Sequence, residues 1–168
     1  MSLSMYQASI PVFTRALGIL SALLDKAAAH AAARKIDPAV FINARLAPDM
    51  FALGRQVQAA SDAAKSCGAR LAGVEVPSFP DTEAGFPEFK ERIAKTVAFL
   101  QGLPPAQIDG SEERVITFKL RGQDATFSGQ SYLLAFALPN FFFHVTTAYD
   151  ILRHNGLDIG KRDYLGGF

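Results

Sequence analysis

The stretch Pro139-Asn140-Phe141-Phe142-Phe143-His144-Val145-Thr146-Thr147-Ala148-Tyr149-Asp150-Ile151-Leu152-Arg153-His154-Asn155-Gly156 decides the reading of this chain. It has the composition of a long helix, with Arg153 and His154 suited to the negative end of the helix dipole and Gly156 placed to stop it. It also holds two of the three histidines in the sequence. Asn140 and His144 are one turn apart and share a face, on a stripe otherwise made of Phe136, Ala148 and Ile151. Polar groups turned into an apolar stripe need partners.

Working back from this segment, three more helices can be read. The first is expected from about Ser4 to Lys35, with Ile10, Phe13, Leu17, Leu20 and Leu24 at helical spacing. Its alanine-rich tail carries His30, expected to be solvated or at the edge of the core. Asp37-Pro38 is a stop and restart signal, and a short helical piece should follow. The second long helix is expected to restart at Pro48, with Asp49 in its first turn. Its apolar positions Met50, Leu53, Val57, Ala60, Ala64, Cys67 and Leu71 alternate spacings of three and four, the pattern of a bundle seam. Gly68 and Gly73 would mark its fraying end. The third starts near Pro87, with Phe86, Phe89, Ile93, Val97 and Leu100 on one face, and ends at Gly102 before Pro104-Pro105.

Between the third and last helices the period changes to two. Ile116, Phe118 and Leu120 alternate with Thr117 and Lys119, Arg121-Gly122-Gln123-Asp124 offers a turn, and Ala125-Thr126-Phe127 returns. A hairpin this small has to lay its apolar face on the helices. Gly129 to Asn155 then forms the fourth helix, kinked or restarted at Pro139, whose ring removes a donor and crowds the preceding turn. Three aromatics in a row, Phe141 to Phe143, cannot all face one core. At least one must meet a second chain, the hairpin or the N-terminal helix. Lys161 to Leu165 should lie against the bundle. The fold class is therefore all-α: a single domain over residues 1–168, an antiparallel four-helix bundle with a small β-hairpin between helices 3 and 4.

Composition narrows the functions. A chain of 168 residues can bury ~70% of its unfolded surface and needs no staples. Its 17 basic residues nearly balance its 16 acidic ones, so no field draws it to nucleic acid or to an anionic membrane. Cys67 is the single cysteine, which leaves no internal disulfide, zinc knuckle or paired redox thiols. The uncharged run from Ala16 to Leu24 is short for a membrane span, and no basic residue precedes the apolar stretch. A soluble cytoplasmic protein is expected. Neither GxSxG, a phosphate-binding glycine loop nor GxGxxG is present.

The candidate site is a polar cluster of Asn140 and His144 with Gln56 and Asp49, which lie seven residues apart on one side of the second helix. Three readings stay open on the residues alone. Asn140 and His144 are core groups tied to backbone or water, or they help hold a divalent metal, or they line a metal-free ligand pocket.

Arg45-Leu46-Ala47-Pro48-Asp49-Met50, Arg55-Gln56-Val57-Gln58, the run around His144 and the closing Gly160-Lys161-Arg162-Asp163-Tyr164-Leu165-Gly166 resemble a bacterial domain-of-unknown-function family. That family is a branch of the DinB/YfiT-like metalloenzymes, and the resemblance spans essentially the whole chain. It implies a bundle with a long crossover, and often a homodimer. In that superfamily a histidine of the second helix and an HxxxH pair on the last bind a divalent metal, often zinc or nickel, and some members catalyse thiol-dependent transfer or isomerisation. Matching the Leu152-Arg153-His154-Asn155-Gly156 ending puts His144 at the second histidine and Asn140 at the first. The second helix has no histidine, so Gln56 or Asp49 would stand in. The resemblance therefore implies a degenerate metal site in a small-molecule-binding or stress-associated protein. Its alternatives are a metal-dependent transferase or isomerase, with His144 and Asn140 as ligands, and a structural homodimerisation module.

Overall fold

The structure is a computed structural model and describes residues 3–167. Helix α1 spans Ile10–Arg34, α2 Pro38–Ile42, α3 Leu53–Ala72, α4 Phe86–Gln101 and α5 Pro105–Ile108. Strands β1 (Val115–Leu120) and β2 (Gln123–Ser128) follow. A continuous helix then runs through α6 (Gly129–Ser131), a π-helical segment (Tyr132–Ala137) and α7 (Leu138–His154), and α8 (Lys161–Leu165) closes the chain. The protein is thus mostly helical, with one small two-stranded antiparallel sheet among the described residues.

Helix α1 begins six residues later than its pattern suggested. Pro11 suits a first turn, where its missing N–H goes unneeded, and Ser9 instead bonds back to the Met5 carbonyl at 2.7 Å, closing a separate turn. By length and composition α1 could cross a membrane, yet Phe13, Leu17, Leu20 and Leu24 are fully buried in the core of this fold. Helix α3 begins at Leu53, not at Pro48. Residues 44–53 form a closed loop instead, in which Leu53 N–H reaches the Ala44 carbonyl at 2.9 Å and Arg45 Nη1 reaches the Met50 carbonyl at 2.6 Å.

Gly68 does not fray α3. The helix runs on to Ala72, and a Cβ at Gly68 would lie 2.5 Å from Leu100 Cδ2 and 3.0 Å from Leu103 Cδ1. The missing side chain lets α4 approach closely. The four-residue α5 was not read from the sequence.

The hairpin pairs Val115 with Ser128 through Leu120 with Gln123, so its turn is only Arg121-Gly122. Both turn residues have positive φ (51° and 84°), as a two-residue hairpin whose twist matches its strands demands. Ile116 is buried, and Phe118 and Phe127 rest on Tyr132 and Phe136, so the apolar face does lie on the helices. Pro139 restarts the last helix, as expected, and sits in the first turn of α7. The residues before it adopt the wider π register, and α-helical bonding resumes around the position that lacks an N–H.

The aromatic run is divided three ways. Phe141 is fully buried and meets Phe13 of α1 edge-on at 4.9 Å, Phe142 is half-buried, and Phe143 is 54% exposed. Helix α8 lies on α1, held by Lys26–Asp163 at 2.5 Å and by Arg15 donating to the Leu165 carbonyl at 2.8 Å.

Candidate functional site

Helices α3 and α7 pack against each other and run antiparallel. Gln56 meets His144 near one end of the pair, and Arg70 meets Tyr132 near the other. Between them lies a groove of about 240 Å³. Arg55, Ala59, Asp62, Ala63, Ser66 and Arg70 supply one wall, a stripe that climbs α3 at spacings of three and four. Tyr132, Phe136, Asn140 and His144, each four residues from the next, supply the other, and Phe118 of the hairpin covers the Arg70 end. From Arg55 to Arg70 the stripe is about 22 Å long at the rise of an α-helix.

Gln56 is buried and turns towards α7. Its Nε2 donates to the Phe51 carbonyl at 3.1 Å, which fixes the amide orientation because a carbonyl only accepts. Gln56 Oε1 is then an acceptor, 2.8 Å from His144 Nδ1, so Nδ1 carries the proton. Nε2 is left with its lone pair and no protein partner among the described residues. Burial, with the Arg55 guanidinium as a second cause, holds the imidazole below its ordinary value of 6.5, so His144 is neutral at pH 7. Asn140 lies one turn away on the groove wall, and its side-chain amide makes no hydrogen bond among the described residues.

Three of the four expected site residues, Gln56, Asn140 and His144, are thus brought together. Asp49 is not. It sits exposed in the turn before α3, because the helix it was expected to open starts four residues later, and it does not line the groove.

The donor set does not fit a divalent metal. Among the described residues no three His, Cys, Asp or Glu side chains gather to hold one. The groove offers one imidazole nitrogen and one amide, and Gln56 Oε1 is committed to orienting the ring. Asp62, the carboxylate on the wall, is bound by Arg92 Nη2 at 2.8 Å and Lys65 Nζ at 2.7 Å. A zinc site wants three or four such ligands, and a nearby Arg55 opposes a cation further. Cys67 offers no substitute, since it is buried and burial pushes its thiol well above the ordinary range.

Sequence reasoning missed Arg70, Tyr132 and Phe118. Arg70 Nη1 donates to Tyr132 Oη at 2.8 Å, and the guanidinium carbon lies 4.2 Å from the centre of the Phe118 ring. The four-residue spacing from Tyr132 to His144 was visible, but only a hairpin folded back over α3 shows that Phe118 belongs with Arg70. Also missed was Arg92, which is buried and binds Asp62, Asp81 and Glu83 at 2.8–3.0 Å together with the Pro80 carbonyl. It straps the 74–85 connector onto α3 and α4. Burial alone would raise the Glu83 carboxyl, but hydrogen bonds from Arg92 and Gln58 outweigh it and hold it below the ordinary 4.5.

No curated protein matches the chain. A crystal structure of a DinB family member protein from Shewanella denitrificans is similar to it, with 40% identity and a TM-score of 0.88 over 97% of this chain and 92% of that one. Residues 5–165 match the domain of unknown function DUF1993. The chain belongs to the DUF1993 family and has a DinB-like fold.

Proposed function

We propose that this protein binds a small molecule in the α3–α7 groove without a metal, its four long helices forming the antiparallel bundle expected of a degenerate DinB-like site. One observation carries the reading: the Phe51–Gln56–His144 chain holds a neutral imidazole on the groove wall with Nε2 unpaired. A preset acceptor beside a free amide, Asn140, suits a ligand that both donates and accepts hydrogen bonds. The test is a fragment screen followed through the ring nitrogens of His144 by NMR. Binders should shift His144 and the backbone of Asn140, and lose affinity in His144→Ala. Binders that map only to the apolar groove of Val12, Ile19, Phe142 and Tyr164, on the opposite side of α7, would contradict it.

Self-association is a separate reading, favoured by the exposure of Phe143 next to His144. A homodimer built on that ring should dissociate in Phe143→Asp, as read by sedimentation velocity; an unchanged sedimentation coefficient would dismiss it.

A further inference from the structure

The charges along the groove are matched, with one exception. Arg55 is met by Asp81 at 2.6 Å, and Asp62 by Arg92 and Lys65. Arg70 has no carboxylate within ion-pair distance among the described residues. Its guanidinium is nonetheless held in place, over the Phe118 ring and bonded to Tyr132 Oη through one of its five N–H groups. A guanidinium orders its remaining donors when a ring lies against it and one nitrogen is tied.

Tyr132 adds to this. Its oxygen accepts from Arg70, so the phenolic proton has no acceptor among the described residues. Burial, reinforced by the nearby Cys67, pushes the phenol up to about 12, so the ring keeps that proton at neutral pH. The Arg70 end of the groove therefore holds a spare cation and a spare hydroxyl donor side by side. Next to them Phe118 and Phe136, 5.3 Å apart between ring centres, make an apolar wall. Further along, Ala59, Ala63, Ser66 and Ala137 keep the floor low towards Asn140.

We propose that Arg70 and Tyr132 bind the carboxylate of a small organic acid whose flat apolar body lies along Phe136 and Ala63, a substrate class that rests on the groove being a ligand site at all. The donors suit two oxygens of a monoanion, with the guanidinium edge for both and the phenol for one. A phosphate dianion would bring a second charge for which the groove has no second free cation among the described residues.

The test is an NMR titration of the full chain with benzoate, benzamide and phenyl phosphate, which share a ring and differ in the head group. Benzoate should shift the Arg70 side-chain N–H signals and the backbone of Ala63 and Phe136, and bind more tightly than either of the others. Arg70→Gln should weaken benzoate about tenfold or more, since a charged hydrogen bond is lost, and leave benzamide unchanged. Should Arg70→Gln disturb the hairpin, Tyr132→Phe keeps the ring stack, removes the hydroxyl and should weaken benzoate by a smaller factor. Benzamide binding in the groove as well as benzoate, with Arg70→Gln indifferent to both, would overturn the carboxylate assignment while the small-molecule reading stood. Tighter phenyl phosphate would overturn the carboxylate too. No groove signal moved by any of the three would overturn both.

Discussion

Gln56 Oε1 lies 2.8 Å from His144 Nδ1, and the amide that makes this contact is itself oriented by the Phe51 carbonyl. One backbone acceptor thereby sets, through two side chains, which nitrogen of the imidazole faces the groove with a lone pair. In related metal sites the carboxylate or carbonyl behind a histidine fixes its tautomer in the same way. Here the orienting group is present although the donor set for a metal is not.

That relationship predicts a titration. The folded-state value of His144 lies below 6.5, so the unfolded chain binds more protons on this residue between the two values. Stability should fall as the pH drops from neutrality through 6.5, and level off below the folded value. Ring nitrogen shifts should report a single Nδ1–H form above that range. Gln56→Leu should mix the two tautomers and cost about 1–3 kcal/mol, because the Phe51 carbonyl and the imidazole N–H lose their partner. A His144 that titrates at or above 6.5 would contradict the assignment.

The Arg92 strap predicts acid sensitivity of a different kind. Glu83 is held below 4.5, so its contribution is fully present above that value and is lost as the pH falls through the folded one. Hydrogen exchange in residues 74–85 should accelerate there before the helices unfold. Arg92→Met leaves the part-buried Glu83 carboxylate without its cation, while Lys65 still meets Asp62 and Arg55 still meets Asp81, and should cost about 3 kcal/mol by chemical denaturation. A loss under 1 kcal/mol would show that the strap is dispensable.

Gly68→Ala tests the close approach of α3 and α4. In a solvated helix the exchange would stabilise by about 1 kcal/mol. Here the new methyl meets Leu100 and Leu103, and overpacking should leave a net loss of about 1–2 kcal/mol. A stabilised variant, read by its urea midpoint, would mean that the helices are further apart.

The sequence carried the long helices because each presents one apolar face at a constant period, and periodicity survives small errors at the ends. It did not carry those ends. Asp49 was placed on a helix because Asp after Pro suits a first turn, but the Ala44–Leu53 hydrogen bond that closes the loop joins residues nine apart and leaves no local trace. Gln56, Asn140 and His144 were legible as polar residues on apolar stripes. Arg70 and Arg92 were not, since each looks like an ordinary surface cation until its partners arrive. Phe118 comes to Arg70 from the hairpin, and Glu83 comes to Arg92 from a connector without periodicity. The π-helical segment before Pro139 was equally hidden, because proline signals an interruption but not the register that relieves it.

The most direct test of a metal-free groove is elemental mass spectrometry on tag-free protein purified without chelators or metal columns, before and after incubation with zinc and nickel. The account predicts far less than one equivalent of metal in both, and no movement of the His144 ring signals when metal is added. Near-stoichiometric metal that disappears in His144→Ala, with the helix content intact, would contradict it.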